Sequence, residues 1–460
     1  MPKEQRGRQD QDLATSTSSL YRGVHSKQIA TGLTDLSQSR WARIGLKAQS
    51  KHFVFENLLT HFHVDSFKEA FKALDGSKAL GVDGISKSEY GKNLEENLFN
   101  LEVKVKNGSY KPKPKREVLI PKANGKTRPI AITCFEDKLV DWVVGKILTQ
   151  IYEPLFIRNS FGYRPGRSAH KAIEACYYSL FKNQRKNVVE IDFSNFFNTI
   201  SHRKLMKILG RKISDNKFKG LIGRFMKGGL ISHGENIPSE IGTPQGSIMS
   251  PILANIYLNE VLDQWFLENY GSCNNVIVRY ADDAVFFFKK EDDSIRFLQD
   301  LALRVGKFGL KLNEDKTRTL ILGKDKHNSF NFLGFTFYWG KQQKKTMLKV
   351  KTQKEKLVSA FREWDVWIKN IRNRTKLSTI WKLAKSKIVG HFNYYGYAMN
   401  NLKLHYFYRK AIQSLFKWLN RRSQKRSYSW DGFKERIRNF PLVEPWESLK
   451  LKQLGSNYVY

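Results

Sequence analysis

Tyr280-Ala281-Asp282-Asp283 lies between two short runs rich in β-branched and aromatic residues, with Val276 and Val278 before it and Val285 and Phe287 after it. That composition predicts two strands joined at a tight turn, with adjacent carboxylates at its tip. Neighbouring carboxylates repel one another, and a divalent cation removes the conflict. The competing reading is an exposed Asp-Asp turn without chemistry. A third carboxylate, Asp192, comes near the end of the apolar run VVEIDF (188–193); there a turn or a helix N-cap is the alternative. Three aspartates from neighbouring strands make an oxygen platform suited to hard, octahedral Mg²⁺. Two such ions about 3.5–4 Å apart are what nucleotidyl transfer requires, one at the attacking hydroxyl and one at the leaving pyrophosphate.

The elements that must hold these residues read as mixed α and β. Residues 1 to about 40 are polar and aperiodic, an extension rather than a folded unit. From Trp41 to Leu101 the pattern is helical, broken by a turn at GVDG (81–84). Lys111 to Ile132 predicts a β-hairpin turning at Asn124-Gly125. Helices follow to about Tyr152 and from Ala169 to Phe181, then the strand carrying Asp192. Helices and loops are expected from there to the hairpin 275–290, and residues 341–460 are helix-patterned.

Charge points to the partner. The chain has 460 residues, with 80 Lys+Arg against 43 Asp+Glu and a net charge of +37. Residues 341–460 alone hold 28 Lys+Arg against 7 Asp+Glu, interleaved with aromatics from Trp364 to Trp418. Half of that aromatic stripe is expected to be helix core. The flanking cations suit a phosphate backbone. No apolar run is long enough to span a bilayer, so an anionic membrane is the weaker reading. Cys134, Cys176 and Cys273 are far apart and form no CxxC pair, which fits free thiols in a reducing cytosol and excludes a zinc ribbon. Gly125-Lys126-Thr127 ends like a P-loop, but Ile120 stands where its first glycine belongs.

DFSNFFNTI resembles motif A of reverse transcriptases, YADD resembles motif C, and Gly242-Thr243-Pro244-Gln245-Gly246-Ser247 with SPILANIYL resembles motif B. IPKANGKTRPIAI, FGYRPGRSAHKAI, LNEDKT and NFLGFTF are similar to further blocks, in that family's order, and the likeness covers roughly residues 70–340. SFGYR, GVDG and KSKIVGHFNYYGYAMN resemble the group II intron members in particular, the last within their thumb, or maturase X region. Asn198 departs from the pattern, where Asp is frequent.

The resemblance implies an α+β right-hand polymerase. Its parts would be an N-terminal extension (1–60), fingers (61–180), palm (181–340), helical thumb (345–425) and a short basic DNA-binding-like segment (426–460). It assigns Asp192, Asp282 and Asp283, with the Phe193 carbonyl, to two Mg²⁺ ions, Mn²⁺ being a substitute. Lys122, Arg128, Phe197, Gln245 and Lys316 would meet the incoming dNTP, Phe197 as the gate that rejects a 2′-hydroxyl. Phe196 beside it reads as core, and Lys113 and Lys115 read as solvated hairpin charge. Phe332, Leu333, Gly334 and Phe335 resemble the primer grip. The implied partners are an RNA template, its RNA–DNA hybrid, group II intron RNA and target DNA, in the bacterial cytosol or nucleoid. The family's frequent HNH endonuclease, with its cysteine pairs, is not expected. The alternatives are a free-standing enzyme of DNA repair or antiphage defence, and a non-catalytic RNA-binding splicing cofactor.

Overall fold

The computed structural model describes residues 40–121, 127–232, 235–237, 241–243, 246–323, 328–342, 345–422, 428–442 and 454. The extension 1–39, the Asn124-Gly125 turn, Lys122 and Gln245 lie outside them, as does the side chain of Arg128.

Helices α1 (Arg40–Ala48), α2 (Val64–Ala73) and α3 (Leu94–Lys106) come first. Between α2 and α3 the GVDG turn has Gly84 at φ 69°. Its Asp83 accepts from the Ile85 amide at 3.2 Å and pairs with Lys113 at 3.1 Å. The expected hairpin is present as antiparallel β1 (Lys115–Pro121) and β2 (Thr127–Ile132), with Ile120 opposite Arg128. Helix α4 (Phe135–Tyr152) is buried along most of its length, as a helix apolar on nearly all sides must be. Helix α5 (Ala169–Phe181) begins at Ser168, whose hydroxyl accepts from the Lys171 amide.

The strand carrying the first aspartate is β3 (Asn187–Ile191), so Asp192 stands just past its end. Helices α6 (His202–Leu209) and α7 (Asn216–Lys227) follow. The expectation of only helices and loops here is corrected by two short strands, β4 (Leu230–Ser232) and β5 (Glu235–Ile237). Strand β4 pairs in parallel with β1, which gives the sheet order β2-β1-β4-β5. Three residues are too few for a period-2 signal, and the pairing partner lies over a hundred residues away. Lys115 is corrected as well. It is 1% exposed, not solvated, and its Nζ donates to the Phe225 carbonyl at 2.7 Å and to that of Gly228 at 3.3 Å. It thereby satisfies carbonyls at the C-terminus of α7, where a cation is favoured. Lys115→Ala is expected to cost about 2–3 kcal/mol in urea denaturation, because those carbonyls lose a charged donor.

Helix α8 (Ser250–Leu258) runs through a π-helical turn (Asn259–Gln264) into α9 (Trp265–Tyr270). The second expected hairpin is β6 (Val276–Tyr280) and β7 (Asp283–Phe288), followed by α10 (Glu291–Lys307) and β8 (Arg318–Ile321). These strands and β3 form an antiparallel sheet ordered β6-β7-β3-β8. Side chains alternate between its faces. Val189, Ile191, Ile277, Phe286 and Phe288 pack into one core with α4, α8 and α10; Val188, Val278, Val285 and Phe287 pack into a second with α5.

The second core extends to a further sheet, β9 (Ser329–Phe332), β10 (Phe335–Gln342) and β11 (Lys345–Thr352). The helical reading of residues 341–460 is therefore corrected up to Thr352, where the end of β10 and all of β11 are strand. Helices α11 (Lys354–Ile371), α12 (Leu377–Tyr395) and α13 (Asn401–Leu419) then build a third core. Trp364, Trp381, Phe392, Phe407, Tyr408 and Trp418 are buried there, while Tyr406 is exposed. Helix α14 (Trp430–Asn439) places Phe433 in the same core, and Trp381 Nε1 donates to the Phe440 carbonyl at 2.8 Å. The three cysteines are free. Among the described residues no helix is long and apolar enough to cross a membrane.

Candidate active site

Register assembles the acidic cluster. Ile191 of β3 is opposite Ala284 of β7, so one step further Asp192 comes alongside Asp283. Tyr280 pairs with Asp283, leaving Ala281 and Asp282 as a two-residue turn with Ala281 at φ 58°. The LNEDKT segment wraps the end of β3. Asn313 donates its backbone N–H to the Asp192 carbonyl at 2.8 Å and its side-chain amide to Asp192 Oδ2 at 3.1 Å. Lys316 Nζ reaches the same oxygen at 3.0 Å. Phe193 is buried, bridged to Leu312 by backbone pairing, with its ring 5.6 Å from that of Phe196.

The charges are coupled. Burial, then Asp282, then Asp192 push the Asp283 carboxyl up to about 6, against the opposing pull of Lys316 and Lys356. Crowded carboxylates of this kind favour uptake of a proton or a cation, and their donors are the hard oxygens that Mg²⁺ prefers. Among the described residues no three His, Cys, Asp or Glu side chains are arranged to close around one metal ion; Asp192 is turned to Asn313 and Lys316 instead. The donors fit in kind and in charge. One consequence is measurable without metal. Because the folded-state pKa is raised, Asp283 favours folding least once pH exceeds about 6, where the unfavourable charge is present in full. Protein atoms crowd the carboxyl, although the residue opens onto the cleft, so solvent screening leaves about 1 kcal/mol of that penalty. Asp283→Asn is expected to raise the Tm of metal-free protein by about 1–2 °C at pH 8, with the gain vanishing below about pH 4.

Phe196 is 3% exposed and Phe197 is half-buried, their rings edge to face at 5.3 Å. The Phe197 carbonyl accepts from the Thr243 amide at 2.7 Å, and the Gly242 amide donates to Ile200 at 2.9 Å. Gly242 sits at φ 90°, where an added Cβ would stand 2.9 Å from Asn198 Cα; only glycine allows this approach. Lys122 and Gln245 are not among the described residues, and of Arg128 only the backbone is.

Leu333 and Gly334 form a second tight turn, at φ 49° and 79°, between paired Phe332 and Phe335. Phe332 and Phe335 are buried. The Leu333 carbonyl accepts from Tyr394 Oη of α12 at 3.0 Å. A cavity of about 580 Å³ lies between this turn and the acidic cluster, lined by Asp283, Lys316, Gly334, Lys356, Tyr394 and Tyr395.

Several residues of the site's frame escaped the sequence reading. Glu190 of β3 is buried, pairs with Arg318 and accepts from the Asn331 amide at 2.9 Å, joining the central sheet to β9. Fully buried Asp141 accepts from Ser247 Oγ and the Ile248 amide, both at 2.7 Å, and from the Met249 amide at 2.9 Å, anchoring the start of α8. The available signal was a charged residue inside an apolar run, which requires a buried partner.

Residues 120–337 match the family described as reverse transcriptase (RNA-dependent DNA polymerase). Protein YkfC of Escherichia coli (strain K12) is 34% identical over 277 residues, 53% of this chain and 72% of YkfC. The group II intron-encoded protein LtrA of Lactococcus lactis subsp. cremoris is 37% identical over 205 residues, 44% of this chain and 34% of LtrA. A 91 kDa protein in the cob intron of Schizosaccharomyces pombe is 34% identical over 255 residues, 54% of this chain and 30% of that protein. The matched region thus spans about a third of each of these last two relatives.

Proposed function

This chain belongs to the reverse transcriptase family of RNA-dependent DNA polymerases, and we propose that it extends a DNA primer on an RNA template in concert with a group II intron RNA. The observation that carries the reading is the coupling of Asp192, Asp282 and Asp283 at one end of the central sheet, where Asp283 is driven to about 6. These carboxylates, with the Phe193 carbonyl, would hold two Mg²⁺ ions, which supply charge neutralisation at the attacking and leaving oxygens. Lys316, paired with Asp192 in this structure, would assist the departing pyrophosphate. Phe197 would lie under the sugar, and Lys122, Arg128 and Gln245, which the family resemblance assigns to the incoming dNTP, would meet its triphosphate and base. The turn Phe332–Phe335 steadies the primer end, and Tyr394 ties it to α12.

In this reading residues 61–180 are fingers, 181–340 palm and 345–425 thumb. The thumb presents cations to the hybrid: Lys369, Arg372, Lys417 and Arg421 all lie within 6 Å of the Trp418 ring. An A-form hybrid held through its backbone makes affinity steeply salt-dependent. Between 50 and 200 mM salt, primer–template affinity should fall by about 10³-fold or more in fluorescence anisotropy; a flat response would contradict backbone gripping. The activity itself is tested by extending a DNA primer on RNA with Mg²⁺ and dNTPs. Product formation only on DNA templates, or none at all, would overturn the reading. The intron partnership draws on relatives encoded within introns. It is tested by adding the chain to the transcript of a group II intron flanking its reading frame and measuring splicing.

A further inference from the structure

The turn bearing Asp282 and Asp283 rests on a buried polar network. Arg279 lies in β6 among Val276, Ile277 and Val278 and is 0% exposed. A guanidinium there is tolerated only if its donors are met. Its Nε donates to Asp263 Oδ1 at 2.7 Å and its Nη2 to Asp263 Oδ2 at 2.5 Å. Its Nη1 donates to Asn255 Oδ1 at 2.9 Å and to the Ala281 carbonyl at 2.8 Å. Asp263 is itself 0% exposed and Asn255 is 1% exposed.

Three features tie this cluster to the turn rather than to core packing alone. The Arg279 fork ends on the carbonyl of Ala281, the residue held at φ 58°, a conformation that a non-glycine residue keeps only where its surroundings impose it. Asp263 comes from the π-helical turn Asn259–Gln264, a local irregularity of the kind found at functional sites. The SFGYR segment closes the other side. Asn255 Nδ2 donates to the Gly162 carbonyl at 2.8 Å, and a Cβ on Gly162 would stand 2.4 Å from the Ala281 nitrogen.

We propose that Arg279 is a positioning residue, which with Asp263 and Asn255 fixes the Ala281 peptide and so aims the carboxylates of Asp282 and Asp283. The proposal deepens the polymerase reading and rests on it for the role of those carboxylates. Misaiming them should lower turnover and metal affinity while sparing dNTP and primer–template binding.

The test replaces the ion pair by apolar residues of similar size, Arg279→Met with Asp263→Leu, an exchange that buried pairs often tolerate. Tm, primer–template Kd, KM for dNTP, kcat and Mn²⁺ affinity by electron paramagnetic resonance are measured on the full chain. The expected result is a Tm within a few degrees of wild type and an unchanged Kd and KM, with kcat and Mn²⁺ affinity each lower by about 10–100-fold. Wild-type kcat and Mn²⁺ affinity in a folded double variant would overturn the proposal. If the double variant does not fold, Asn255→Ala leaves the ion pair in place. A several-fold loss of Mn²⁺ affinity at near-normal Tm supports the proposal, and an unchanged affinity overturns it. A wild-type protein that makes no DNA defeats the polymerase reading, whereas the Mn²⁺ titrations still decide the role of Arg279.

Discussion

A variant carrying Asp282→Asn and Asp283→Asn is expected to bind primer–template as wild type does and to extend it at least about 10³-fold more slowly. The cause is local. Asn keeps the size of Asp and a carbonyl oxygen, so the two-residue turn and its pairing of Tyr280 with Asp283 survive. It removes the charge that a divalent cation would neutralise. The cations of the basic helical unit lie elsewhere, around Trp418, so template affinity has no reason to change. Gel-resolved primer extension and anisotropy on the same preparations separate the two effects. Extension at more than a tenth of the wild-type rate would remove these aspartates from the chemistry. Loss of template binding would mean that the turn supports the fold instead.

Phe197→Ala is expected to admit ribonucleotides, reducing the preference for dNTP over NTP by about 10²-fold in kcat/KM ratios. The side chain suits a steric gate because its backbone cannot retreat. Thr243 donates to its carbonyl, and Gly242 packs against Asn198 at a distance that no other residue would allow. The ring is braced edge-on by buried Phe196. Phe196→Ala is the matched control. It should cost about 3–5 kcal/mol of stability as a core cavity and leave sugar selectivity alone. If the two variants discriminate equally well, the gate is not at Phe197.

The cluster and its turn were legible early because local chemistry marks them. An Asp-Asp pair between β-branched runs marks a hairpin tip, and the paired strands of both hairpins, within 115–132 and 276–288, lie where their composition places them. Asp192 was legible for the same reason, as an acid interrupting an apolar strand. Strands β4 and β5, with three residues each, were not legible, nor was β11 within a basic run. Their identity depends on pairing with distant strands, which overrides weak intrinsic preference. Lys115 shows the same limit in a single residue. In the sequence it is one of several hairpin lysines; in the fold its ammonium is buried against the end of α7.

The sequence by itself determined the chemistry on offer: three aspartates, a basic aromatic-rich C-terminal third, and blocks in the order of a polymerase family. Those follow from residue type and spacing, which the chain carries without folding. Tertiary structure alone decided how the aspartates face one another. The register of β3 against β7 sets Asp192 beside Asp283, and the raised carboxyl of Asp283 arises from that proximity and burial. It also decided what holds them: Arg279 with Asp263 and Asn255, Asn313 and Lys316 on Asp192, and Tyr394 on the Leu333 turn. Polar groups find partners wherever the fold brings them, and those partners are separated by up to 124 residues of chain, a distance that no local pattern reports.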